Sequence, residues 1–79
     1  MILCKVVGTV VSQEKEAELI GKKLLLCENL EGRSKQRIVA VDLVGAGVGS
    51  EVLVSHKNCG GPSERIDDWI VGIVDSISE

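Results

Sequence analysis

The residues with the most chemical potential sit close together late in the chain. His56 and Cys59 form an HxxC pair, Asp67 and Asp68 are adjacent carboxylates, and Trp69, the sequence's single aromatic residue, follows them. A histidine and a cysteine at that spacing are competent zinc ligands, but a structural zinc site takes four ligands and no second pair stands nearby. As a Cys–His nucleophilic couple the same residues would need an orienting Asn or Asp, and no family signature of such a couple is present. Sequential aspartates point in different directions, which is poor geometry for acid–base work, so a solvated turn accounts for Asp67 and Asp68 more simply. Trp69 as a base-stacking platform would call for companions along a basic groove. Alone in an acidic chain, it reads as a core or interface anchor.

The run VGAGVG at residues 44–49 invites a phosphate-loop reading, because glycines let backbone N–H groups approach an anion. The spacing does not support it. A dinucleotide fingerprint needs glycine at position 50, which is Ser50, and a following helix, whereas EVLVS reads as a strand. The Gly-Lys-Ser or Gly-Lys-Thr of a Walker loop is absent. The run is expected to be a tight connection between strands, with Gly45, Gly47 and Gly49 free to take positive φ or to lie against another backbone. Asp42, just before it, is placed to accept hydrogen bonds from its amides. Cys4, Cys27 and Cys59 form no CxxC pair and are odd in number, as reduced intracellular thiols are. Cys4 and Cys27 fall in apolar stretches and are expected in the core.

Five apolar stretches must position these residues: Ile2 to Val11, Lys23 to Glu28, Arg37 to Asp42, Glu51 to Ser55 and Trp69 to Ile77. Each reads as a β-strand bounded by Gly, charged residues or Asn. In the first, Ile2, Cys4, Val6, Gly8 and Val10 share the face expected to be core. Both faces of the last are expected to be largely buried. Gly8 and Gly72 lie inside strands, where a sharp bend explains a residue that otherwise weakens pairing. Short strands with glycine bends fit an all-β fold, a small five-stranded OB-like barrel whose closure removes exposed edges. Gln13 to Ile20 is a loop with room for a turn of helix, and a second helical turn is expected near Ser63 within the irregular stretch Lys57 to Asp68.

The 79 residues are expected to form one domain, and a domain of that size buries only about 60% of the surface of its unfolded chain. No uncharged run exceeds eight residues, far short of the roughly 20 that a transmembrane helix needs, and MILCKVV lacks the marks of a signal peptide. A cytoplasmic protein without membrane contact is therefore expected. A net charge of −3 gives no electrostatic footprint for nucleic acid.

GTVV near the start, GKKLLLCE, AVDLVGAGVGSEVLVS and VGIVD at the end, in that order and spacing, resemble the EutN/CcmL family of bacterial microcompartment vertex proteins. The resemblance covers most of the chain. After Ser55 this sequence departs from the family's Ser-Ser-Ala-Arg pattern, and HKNCGGPSER stands there instead. The resemblance implies a small barrel that forms homopentamers, caps the five-fold vertices of a polyhedral shell and meets hexameric shell proteins. It implies a structural, non-enzymatic role without a cofactor. The carry-over is limited to the glycine loop with its preceding aspartate and to Val71 to Asp75. Asp42, Gly45, Ala46, Gly47, Val48 and Gly49 are accordingly expected to form an oligomer interface or axial loop. Two other readings compete: an OB-like module for oligonucleotide or another ligand, opposed by charge and aromatic content, and a small redox or metal enzyme using His56 and Cys59.

Overall fold

A computed structural model describes residues 1–11, 21–32, 35–56 and 68–75 of the chain. Every regular element among them is a strand: β1 (Ile2–Val10), β2 (Lys23–Asn29), β3 (Arg37–Asp42), β4 (Glu51–His56) and β5 (Asp68–Ile73). All five apolar stretches form the expected strands, with β4 reaching His56 and β5 ending at Ile73 rather than Ile77. Their Val, Ile and Leu content suits a pleated surface packed on one side. The sheet closes on itself in the order β1-β2-β3-β5-β4, the barrel that the sequence predicts. Only β3 and β5 run parallel. No helix among the described residues is long and apolar enough to cross a membrane. The helical turns expected in Gln13 to Ile20 and near Ser63 lie outside the described residues.

The barrel interior is aliphatic. Cys4, Val6, Leu25, Cys27, Ala40, Val52, Val54 and Ile70 form one buried cluster, completed by Ala46 from the loop after β3. Each buried Val or Leu contributes about 1.5–3 kcal/mol relative to an exposed one. Two bulges shape the wall. Val6 pairs with Cys27 and Gly8 with Leu26, so Val7 is the extra residue in β1. Leu53 pairs with Gly72 and Val54 with Ile70, so Val71 is the extra residue in β5. Both bulges fall on a Val-Gly step, so the two strand glycines mark bends as expected.

The first bulge corrects one expectation. Ile2, Cys4 and Val6 do face the core, but the extra residue reverses the alternation, and Val10 pairs with Leu24. Val10 therefore joins a second cluster, with Leu24, Val39, Val41 and Trp69, on the outer side of the sheet. β5 corrects another. Ile70 is buried, but Val71 and Ile73 are 40% and 43% exposed, so the strand is not buried on both faces within one chain. Across β4, β1, β2 and β3, the paired residues Glu51, Lys5, Glu28 and Arg37 alternate in sign. Arg37 Nε lies 3.5 Å from Glu28 Oε2. Opposite charges on neighbouring strands contribute roughly 0.2–1 kcal/mol per pair and disfavour a slipped register.

Candidate functional site: the loop that closes the barrel

Between β3 and β4 the chain crosses one end of the barrel, and each step of the crossing has a local cause. Asp42 ends β3, and its Oδ1 accepts hydrogen bonds from the N–H groups of Val44 at 3.0 Å and Gly45 at 3.1 Å. That turn needs φ of 81° at Gly45, a conformation that a Cβ would penalise. The next residue, Ala46, drops into the core cluster and is 1% exposed. Its carbonyl accepts a hydrogen bond from Lys23 Nζ at 2.8 Å, and Lys23 is the cross-strand partner of Asp42. One short interval of the β2–β3 ladder thus supplies the acceptor for the loop's first amides and the donor for its buried carbonyl.

The return to β4 is equally determined. Gly47 N–H donates to Ser50 Oγ at 3.2 Å, while Ser50 N–H donates to the Gly47 carbonyl at 3.0 Å. Gly49, at φ 95°, donates to the Val6 carbonyl, and Val6 N–H donates to the Ser50 carbonyl, both at 2.9 Å. The loop is spliced onto β1 before β4 begins. With the amides of residues 44, 45, 47, 49 and 50 all directed to protein acceptors, one of them a carboxylate, this backbone is no phosphate cradle. The six singled-out residues therefore come together as one ordered loop.

Glycine at position 47 stands apart from its neighbours. Its φ is not positive, and a Cβ built there would meet nothing within 4 Å. The geometry of the single chain accounts for glycine at 45 and 49 and leaves 47 unaccounted for. Around it, Leu43, Val44 and Val48 are 53%, 40% and 66% exposed, an unusual density of apolar side chains for an exposed loop.

The other candidates lie elsewhere. His56 does not stand as a free ligand: its Nδ1 is 2.8 Å from Asp68 Oδ1, across the β4–β5 pair. Asp68 is thus a strand residue bound to histidine rather than part of a solvated turn. Cys59 and Asp67 lie outside the described residues. No group of three or more His, Cys, Asp or Glu side chains is arranged for a metal among the described residues. Cys4 and Cys27 are both fully buried, as expected. Burial pushes the Cys27 thiol up to about 11, with smaller contributions from Cys4 and the carboxylates of Asp42 and Asp68. Burial likewise raises Cys4, assisted by Glu31 and Asp68, so neither thiol is an activated nucleophile. Trp69 packs on the outer cluster, with Lys22 Nζ 4.8 Å from its ring centroid. Sequence reasoning missed the roles of Lys22 and Lys23, because only the strand register reveals what either lysine reaches.

The chain and its barrel have counterparts. The family profile described as Ethanolamine utilisation protein EutN/carboxysome matches residues 1–75. The bacterial microcompartment shell vertex protein PduN of Salmonella typhimurium is 44% identical over 90 aligned positions, covering 99% of both chains. The carboxysome shell vertex protein CcmL of Synechocystis is 42% identical, covering 99% of this chain and 86% of its own. Among solved structures, the GrpN pentameric microcompartment shell protein from Rhodospirillum rubrum superposes with a TM-score of 0.83 at 43% identity. That match covers 100% of this chain and 98% of GrpN. A profile match spanning all five strands and the loop, together with full-length relatives on the same barrel, makes this chain a member of the EutN/CcmL family.

Proposed function

We propose that the chain is a structural subunit of a bacterial microcompartment shell. Five copies form a ring that caps a shell vertex in the cytoplasm, with the 43–50 loop at the ring axis and hexameric shell proteins around the rim. The support comes from two sides. PduN and CcmL are named as shell vertex proteins and GrpN as a pentameric shell protein, and each aligns over nearly all of this chain. A barrel this small gains stability by burying further apolar surface between subunits. The role is one of assembly rather than catalysis.

The observation that carries the axial reading is Gly47. Among the described residues nothing requires glycine there, and copies of a loop converging on an axis tolerate only the smallest side chain. Replacing Gly47 with Trp is expected to leave the barrel folded and to break the ring. Native mass spectrometry would show monomers or an altered ring, with strand content unchanged by circular dichroism. A Gly47→Trp pentamer indistinguishable from the parent would remove the loop from the axis. The competing oligonucleotide-binding reading fares poorly: net charge is −3, and the single aromatic ring packs on the barrel wall beneath a lysine.

A further inference from the structure

The barrel is closed, but its seam between β3 and β5 is short. The two strands pair only at Val41 with Trp69 and Asp42 with Ile70, and one further bond runs from Leu43 N–H to the Ile70 carbonyl at 3.3 Å. Past that point the chain leaves the line of β3 to form the loop. Val71 to Ile73 continue alongside β4, through Leu53 with Gly72 and Val52 with Ile73, with no strand on their other side among the described residues. Among the described residues, four exposed large apolar side chains belong to the chain segments that leave this last bond. Leu43 and Val44 lie on one side of that last bond, and Val71 and Ile73 on the other. The β5 bulge falls on Val71 itself, a device that re-aims a side chain at a strand's edge.

We infer that this seam seats an adjacent copy of the same chain, covering the open flank of β5 and the four aliphatic side chains. An exposed apolar strand edge invites unspecific pairing, and apart from the bulge at Val71 this edge has little to prevent it: Val71, Gly72 and Ile73 include no charge and no proline. The occupant follows from the chemistry of the face. Leu43, Val44, Val71 and Ile73 can be desolvated without stripping water from an ion, the character of a permanent contact between like subunits rather than a transient one. GrpN, similar over the whole chain, is a pentameric shell protein, a precedent for a second copy of the same chain as the partner. In a ring the contact is head-to-tail, so the seam of one subunit meets a different surface of the next. The seam adjoins the loop, so an axial loop and a covered flank are compatible in one arrangement.

This inference rests on the ring proposed above, and the test separates the two. The parent protein, Val71→Lys, Leu43→Lys, Val71→Ile and a control Val11→Lys, at a residue 92% exposed, would be compared by sedimentation over a dilution series. Val71→Lys and Leu43→Lys are expected to raise the concentration at half-dissociation by at least about tenfold, the loss typical of a charge placed in an interface core. Val71→Ile and Val11→Lys are expected to match the parent. Leu43→Lys carries the same expectation from the other side of the seam should Val71→Lys fail to fold. A parent that stays monomeric throughout overturns the ring itself. A parent ring whose Val71→Lys and Leu43→Lys variants are equally stable, or whose Val11→Lys variant dissociates as readily, overturns the seam assignment and leaves the ring standing.

Discussion

Three glycines within five residues do two kinds of work, and the backbone separates them. Gly45 and Gly49 sit at φ 81° and 95°, where a side chain meets its own backbone whatever the space around it. Gly47, whose φ is not positive, lacks that constraint. Gly45→Ala is therefore expected to cost about 1–2 kcal/mol, the penalty of the left-handed conformation for a residue with a Cβ. Gly47→Ala should cost the isolated chain nothing and stiffen its unfolded state. Urea denaturation at a concentration low enough to hold both variants as monomers would check the contrast, and equal midpoints would mean that the turn at Gly45 can relax. Part of this was legible in the sequence. An aspartate two residues before a glycine-rich run predicts an Asx-type turn, and Asp42 makes it. Lys23 was not legible, because a lysine beginning a strand carries no sign of the carbonyl it will meet across the sheet.

At the scale of elements, alternation located the strands and one face of each, and failed where a strand contains an extra residue. Nothing in VVGTVV states that the chain changes face at Val7, so alternation alone assigns Val10 to the core that it leaves. The apolar residues of β5 likewise stated that they would be covered, without stating whether by their own chain or by another. The thiols give a test of the barrel interior. Cys27 lies within the β1–β2 wall, and its proton is held until about 11 rather than 9.0. The unfolded chain releases that proton first, so between those values it binds fewer protons than the folded one, and stability falls as pH rises. Below about pH 9 the contribution is fully present. Denaturant midpoints for the parent and Cys27→Ala, measured from neutral pH to about 11, are expected to converge at the alkaline end as the parent loses this contribution. Parallel curves would mean that Cys27 ionises as an ordinary thiol and that the wall admits water.

For the whole molecule the question is what holds like-charged copies together. Each subunit carries −3, so ring formation brings five net negative charges of that size into contact. Its charged side chains are partly committed within the chain: Arg37 with Glu28, Lys23 with the Ala46 carbonyl, and the Asp68 carboxylate with the His56 ring. The seam assigned to the neighbouring copy contributes only aliphatic residues. An assembly of this kind responds to salt in a definite direction. Screening weakens the repulsion between subunits as the Debye length shrinks from ~30 Å at about 0.01 M to ~3 Å at about 1 M ionic strength. A salt such as sulfate also strengthens apolar burial by exclusion from the surface. The ring should therefore persist to lower protein concentration at high ionic strength, as sedimentation across a salt series would show. If subunits were joined chiefly by ion pairs, screening would act the other way and the ring would come apart at high salt. That result would move the contact from the β3–β5 seam to the charged row of Glu51, Lys5, Glu28 and Arg37.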